Sequence, residues 1–421
     1  MSQARRNKSY RHLVLLLFVF LLDCTFLSFS AISQSTDSEK PKLKDFGSSL
    51  KRIKWDSKQN ASVEIKDVDD KEKSDKRDSD MYVIRVETAL VAGDFLVLDR
   101  TGSPVHGLAQ NDFLVTEDGM PQQVSMFSLG DSGTIPRSIV LIIDYSGSLS
   151  AYIQTSVEAA KTLVDQLGPK DRMAIVTDEI ELLADFTKDK TELKSKLESL
   201  KEKAQEKAAK SGWYSGHSLQ YSALLAVLKE AFDAEDVRPI IIFQTDGDEL
   251  RILQPIKSDF AAIKKIARPF SIADVYNAAL KSRATIYTVV PGSRIIGLPP
   301  DKQIERIKAL LAKRMLSEPG RETLLKKVLD NRLEALIKQQ SALAVLSIVT
   351  GGWIEFLEDP TQASKIYSNI FSDINRRYII GYYPTNKEHD GKRRTINIEV
   401  KGHQEYTILG RKAYYAPGSE Q

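Results

Sequence analysis

Ile139-Val140-Leu141-Ile142-Ile143-Asp144-Tyr145-Ser146-Gly147-Ser148 decides how this chain is read. A continuous apolar, mostly β-branched run bounded by turn residues predicts a strand buried on both faces, as in a parallel sheet. The carboxylate of Asp144 and the hydroxyls of Ser146 and Ser148 then fall at the strand's C-terminal end, where open α/β sheets hold their ligands. One carboxylate and two hydroxyls at alternating positions offer oxygen donors to a hard divalent cation. The local alternative is that Asp144 caps the helix beginning near Ser150 while the two serines satisfy turn amides.

Two segments downstream bear on that choice. Gly216-His217-Ser218-Leu219-Gln220-Tyr221-Ser222-Ala223-Leu224 presents a hydroxyl from a glycine turn just before a helix. Pro239-Ile240-Ile241-Ile242-Phe243-Gln244-Thr245-Asp246-Gly247-Asp248 is a second buried strand ending in a carboxylate. In order and context the three segments resemble the metal-ion-dependent adhesion site of von Willebrand factor type A domains. That family joins an Asp-x-Ser-x-Ser loop, a later Thr or Ser, and an Asp in a Thr-Asp-Gly turn. The resemblance implies that Ser146, Ser148 and Ser218 bind a metal directly, with Asp144 and Asp246 acting directly or through water. Ser218 stands where Thr is commoner, and the hydroxyl is kept. The implied metal is Mg²⁺, or Mn²⁺ or Ca²⁺ in its place, since an oxygen-rich donor set does not suit Zn²⁺. Two carboxylates leave a bound dication about neutral and electrophilic toward one more anion, which in the family is an Asp or Glu of a partner protein. His217 reads as a turn residue, and Asp248 and Glu249 as solvated or supporting groups.

Composition sets the outer bounds. The 421 residues allow two or three domains, and a net charge of +3 gives no case for nucleic acid. Cys24 is the only cysteine, so no intrachain disulfide can form. It lies in an apparent export signal, residues 1–33, in which Arg5, Arg6, Lys8 and Arg11 precede the apolar stretch Leu13 to Leu22 and the small-residue site Ala31-Ile32-Ser33. Cleavage there predicts a secreted or periplasmic protein; retention predicts an N-terminal membrane anchor. Export without disulfides suits a bacterial envelope protein.

Residues 34–80, rich in Ser, Lys, Asp and Glu, are expected to be a disordered linker. Residues 81–133 form an N-terminal β segment, with strands expected at Tyr82–Val86, Asp94–Leu98 and Asp112–Val115. Residues 134–357 alternate strands and helices, which predicts an α/β fold: a doubly wound, mostly parallel sheet covered on both faces. Met173–Thr177 and Leu182–Ala184 are too close for a helical crossover and should pair antiparallel at one edge. A helical insertion at about 293–340 leaves the sheet on the edge of Asp144 and Asp246; it is expected either to border the metal or to pack back onto the outer helices. Residues 358–421 form a C-terminal β segment, and the two flanks are expected to pair into one small β-sandwich around the inserted α/β domain. The flanks, at Asp99–Val105 and at Tyr378–Pro384 with Asp390-Gly391, also resemble secreted bacterial type A proteins of the group described as acidobacterial.

Trp213 and Tyr214 read as packing residues or a contact patch, and Tyr382, Tyr383, Tyr414 and Tyr415 as sandwich residues. Two functions compete. One is an adhesive or scaffolding module that binds a partner protein through a metal. The other is a metal-assisted envelope hydrolase with Asp144 or Asp248 as base. The chain shows no Gly-x-Ser-x-Gly elbow, His-Glu-x-x-His motif or P-loop, so binding without catalysis is the expectation.

Overall fold

The apolar run at Ile139–Ile143 lies at the centre of a six-stranded sheet. The computed structural model describes residues 43, 46–50, 53–56, 61–64, 90–131, 133–210, 218–233, 236, 238–253, 270–312 and 322–418. The expected export signal, the strand expected at Tyr82–Val86, and Trp213, Tyr214 and His217 lie outside the described residues. Among the described residues no helix is long and apolar enough to cross a membrane.

The early strands are β1 (Ile53–Asp56), β2 (Ala61–Glu64), β3 (Val91–Leu98), β4 (Phe113–Glu117), β5 (Met120–Gln122) and β6 (Val124–Leu129). The sheet strands follow as β7 (Arg137–Ile143), β8 (Arg172–Thr177), β9 (Leu182–Thr187), β10 (Arg238–Gln244), β11 (Thr285–Pro291) and β12 (Ile354–Leu357). The last are β13 (Tyr378–Tyr382), β14 (Arg393–Val400), β15 (Thr407–Leu409) and β16 (Ala413–Tyr415). The helices are α1 (Ile153–Asp165), α2 (Lys190–Lys210), α3 (Gln220–Glu230), α4 (Leu250–Leu253), α5 (Ile272–Lys281), α6 (Pro300–Ala312), α7 (Glu322–Val349) and α8 (Ala363–Arg376).

The central sheet runs β12-β11-β10-β7-β8-β9, parallel except for the β8–β9 hairpin at its edge, as expected. Every residue of β7, β10 and β11 is buried, which explains the unbroken apolar runs Ile139–Ile143 and 239–243. Leu163 of α1, Leu197 of α2 and Ile370 of α8 cover one face. Leu224 of α3, Val275 of α5 and Leu346 of α7 cover the other. The α/β layer runs past the boundary expected at 357, because Ile366, Tyr367, Ile370, Phe371 and Ile374 recur at helical spacing and bury one side of α8.

The two flanks share two sheets, β15-β3-β13-β6 and β16-β14-β4-β5, so each sheet takes strands from both ends of the insertion. Phe95, Val97, Val115, Tyr378, Ile380 and Ile398 fill the space between them. β14 alternates exposed and buried residues along its whole length. Tyr382 and Tyr414 both donate to the buried Glu117 carboxylate, at 3.0 and 2.8 Å, and so are interior residues of the sandwich. β5 carries Pro121, which is tolerated on an edge strand but hides the strand in the sequence.

The segment expected to be a disordered linker contains ordered contacts. β1 and β2 pair antiparallel. Leu43 is buried in the α3 face of the core, and its N–H donates to Asp185 at 2.8 Å. The Gly47 and Ser49 amides donate to Glu230, at the end of α3, at 2.6 and 2.9 Å. A charge-rich composition concealed the two apolar anchors, Leu43 and Phe46.

The insertion carries its own small core of Ile295, Ile307 and Leu329, with Leu310, Leu333 and Leu336 against it. Gln340 fastens its entrance, accepting from the Ile295 and Ile296 amides at 2.8 and 3.1 Å and donating to Ser293 O at 2.9 Å. α7 is continuous from this insertion into the crossover that covers the sheet.

Buried arginines join sandwich to sheet. Arg238, at the start of β10, donates to the Asp94 carboxylate of β3 at 2.7 Å, to Gly130 O at 2.9 Å and to Ile374 O. Both partners of the ion pair are buried. Asp94→Ala strands that guanidinium and is expected to cost about 3–5 kcal/mol. Urea unfolding of the variant beside the parent measures it, and a loss under about 1 kcal/mol would mean that the carbonyls alone hold Arg238.

Candidate metal centre

β7 pairs in register with β8 and β10, Ile143 lying opposite both Thr177 and Gln244. The residues that follow the three strands therefore emerge together on one edge. Asp144 is buried, and its amide donates to Gln244 O at 3.0 Å. Its carboxylate accepts from the Ser146 amide at 2.9 Å and from the Thr245 hydroxyl at 3.1 Å. Ser146 Oγ and Ser148 Oγ lie 3.0 Å apart, and Ser148 Oγ donates to Asp246 at 2.9 Å. Asp144, Ser146, Ser148 and Asp246 thus form one hydrogen-bonded chain across β7 and β10. Gly247 allows the turn after Asp246: its φ is +72°, and a Cβ there would come within 2.9 Å of Leu343 and 3.2 Å of the Tyr221 hydroxyl.

Ser218 joins this group indirectly. Its hydroxyl donates to Asp178 at 2.9 Å, and the other Asp178 oxygen accepts from the Tyr145 amide at 3.2 Å. Asp178 O also accepts from the Leu219 amide at 3.0 Å, so one residue ties the Ser218 turn to the Asp144 loop. Sequence reasoning passed over Asp178, although it too is a carboxylate directly after a buried strand. Gln220 was also missed. Its amide nitrogen donates to Asp144 at 2.8 Å, to Asp248 at 2.7 Å and to Asp246 at 3.3 Å. Glu249 accepts from the Tyr221 amide at 2.7 Å and the Ser222 hydroxyl at 3.1 Å, fixing the first turn of α3.

The electrostatics are those of crowded acids. Burial, then the charges of Asp178 and Asp246, hold the Asp144 carboxyl well above the usual carboxylate range. Burial raises Asp246 as well. Burial and then Asp246 push Asp248 up to about 7. Among the described residues no lysine or arginine pairs with any of these three, and no group of three or more His, Cys, Asp or Glu is spaced to hold a metal by itself. A cation here would draw on hydroxyls as well as carboxylates. Uncompensated carboxylates beside hydroxyl oxygens fit a small, hard dication.

The sequence model of the von Willebrand factor type A domain matches residues 139–249, which include Asp144, Ser146, Ser148, Ser218 and Asp246. No curated protein matches the chain in sequence. Among solved structures the chain is similar to proximal thread matrix protein 1 from the mussel byssus, at 13% identity and TM-score 0.33 over 62% of this chain and 51% of that one. It thus spans about half the length of that protein. It is similar to the vWF domain of the type V pili tip protein Mfa5 from Porphyromonas gingivalis, at 14% identity and TM-score 0.31 over 57% of this chain and 96% of that one. It is also similar to the manganese-loaded TRAP protein of Plasmodium vivax, at 11% identity and TM-score 0.29 over 73% of this chain and 100% of that one.

The raised carboxyls make a signed prediction for the cation-free chain. An acid whose folded pKa exceeds its unfolded value binds its proton more tightly when folded, so its contribution is greatest below the unfolded value and is lost as pH rises through the folded one. For Asp248 that window runs from the ordinary carboxylate value of 3.8 to about 7. In chelator, Asp248→Asn is expected to flatten the fall in stability between about pH 4 and about pH 7, followed by urea midpoints. Equal slopes in parent and variant would show that Asp248 carries no such strain.

Proposed function

We propose, from the premise that the chain carries a von Willebrand factor type A domain, that it is a metal-ion-dependent protein-binding module of the cell envelope. Its role is adhesive or scaffolding, and its ligand is an Asp or Glu side chain of a partner protein. The observation that carries this reading is the hydrogen-bonded chain Asp144–Ser146–Ser148–Asp246, which sets acidic and hydroxyl oxygens side by side with no basic partner among the described residues.

In this reading Asp144 and Asp246 balance the charge of the ion, and Ser146, Ser148 and Ser218 give uncharged oxygens. When bound, a Mg²⁺, Mn²⁺ or Ca²⁺ ion supplies a Lewis-acidic position at which an incoming carboxylate can complete the coordination. Asp178 orients the Ser218 hydroxyl, and Thr245 steadies the Asp144 carboxylate. None of these roles moves a proton or breaks a bond. The basic and apolar pattern of residues 1–33, read as an export signal or anchor, supports an envelope location.

Asp144→Ala is expected to abolish Mg²⁺ binding in calorimetry and retention on an acidic protein surface in Mg²⁺, with EDTA releasing the parent. Unchanged Mg²⁺ affinity in the variant would refute the assignment. Ser218→Thr is expected to bind like the parent and Ser218→Ala more weakly, since only the former keeps the hydroxyl. Parent-like binding by both would remove Ser218 from the ligand set. Turnover of an ester or phosphoester panel that needs Asp144 would favour the hydrolase instead.

A further inference from the structure

Gln220 is buried and opens α3, whose first turn is held by Glu249. Its amide nitrogen has two hydrogens to offer and lies within hydrogen-bond range of three carboxylates, from Asp144, Asp246 and Asp248. Its Oε1 is buried and makes no hydrogen bond. The side chain is thus held through one end only, although a buried amide oxygen left unpaired is costly. What offsets that cost is the carboxylate cluster, which draws the nearest N–H donor toward it.

We propose that Gln220 is a resident stand-in for the cation: its amide holds the three carboxylates together in the metal-free centre and competes with a divalent ion for them. This rests on the metal-binding reading of the site. Two of the oxygens the amide engages belong to Asp144 and Asp246, the acids assigned to the metal. An N–H donor and a dication compete for the charge of these carboxylates, because each hydrogen bond accepted from the amide weakens the pull of that carboxylate on an ion. The amide can loosen its hold without unfolding the turn, since the backbone there is fixed independently by Glu249 and by the Leu219 amide on Asp178 O. Gln220 therefore sets the cation concentration at which the centre loads, at the expense of affinity and to the benefit of the empty fold.

Gln220→Met tests this directly: it keeps the length and removes the donors. The full chain and the variant are titrated with Mg²⁺ and with Mn²⁺ by calorimetry, and both are melted in EDTA and in saturating Mg²⁺. The variant is expected to bind Mg²⁺ roughly tenfold tighter, the loss of charge-assisted hydrogen bonds from the competing state. It should also melt lower in EDTA and gain more from Mg²⁺ than the parent does. Gln220→Asn, whose shorter amide cannot reach all three acids, should fall between them, and it serves if the Met variant does not fold without metal. Equal or weaker Mg²⁺ affinity in the variants overturns the proposal. If the parent binds Mg²⁺ and Asp144→Ala does not, that failure leaves the metal reading standing. If neither the parent nor the variants bind Mg²⁺ or Mn²⁺, the metal reading falls and this proposal falls with it.

Discussion

Three parallel strands ending at the same level impose the geometry of the centre. With Ile143 opposite both Thr177 and Gln244, the next residues along each strand, Asp144, Asp178 and Thr245-Asp246, are delivered to one edge without any loop having to find another. Burial of β7 and β10 on both faces enforces that register, because a slip by one residue would turn every side chain to the opposite layer. Gln244 is the polar residue at the C-terminal end of β10, and α8 takes up its oxygen through the Tyr367 hydroxyl. The same helix that closes the sheet on that side thereby supports the strand end from which Asp246 hangs.

The strands are also polar in charge. β7, β8 and β10 begin with Arg137, Arg172 and Arg238 and are followed by Asp144, Asp178 and Asp246. Each arginine is already paired, with Asp171, Asp236 and Asp94 respectively. The strands separate those cations from the C-terminal acids by on the order of 20 Å. At such a distance their attraction is small beside that of a neighbour in contact. The basic edge is thus given to structure, including the joint to the sandwich, and the acidic edge carries carboxyls that no lysine or arginine pairs among the described residues. Fold and centre use opposite ends of the same strands.

How far the sequence could be read follows from how locally each feature is written. Asp144, Ser146, Ser148 and Asp246 stood out because each follows a buried strand within a few residues. The pairing of the flanks was legible because neither end alone holds enough strands to bury a face. Asp178 obeys the rule that identified Asp144, yet it stands in the tight hairpin between β8 and β9, where Thr177-Asp178-Glu179 forms no Asp-x-Ser-x-Ser loop. Gln220 looks like any polar residue in a first helical turn; its role exists only once three strand ends are brought around it. β6 escaped because its residues Val124–Leu129 lie mostly half-buried, so no clean alternation marks it. α8 escaped because its buried residues Ile366, Tyr367, Ile370, Phe371 and Ile374 are β-branched or aromatic and carry strand propensity as well as helical spacing.

An amide at position 220 suits the proposed task better than a basic side chain would. A lysine there would place a full positive charge among Asp144, Asp246 and Asp248 and form charge-assisted hydrogen bonds on both sides of each contact. The cluster would be neutralised for good, and a dication would have to expel a bound cation to enter. A side chain with no donor would leave the carboxylates to repel one another in a buried site, where Asp144 and Asp248 already hold their protons harder than usual. A neutral donor takes the middle course. It holds the acids close enough together for the fold to tolerate them, while the centre keeps the net negative charge that draws a dication in.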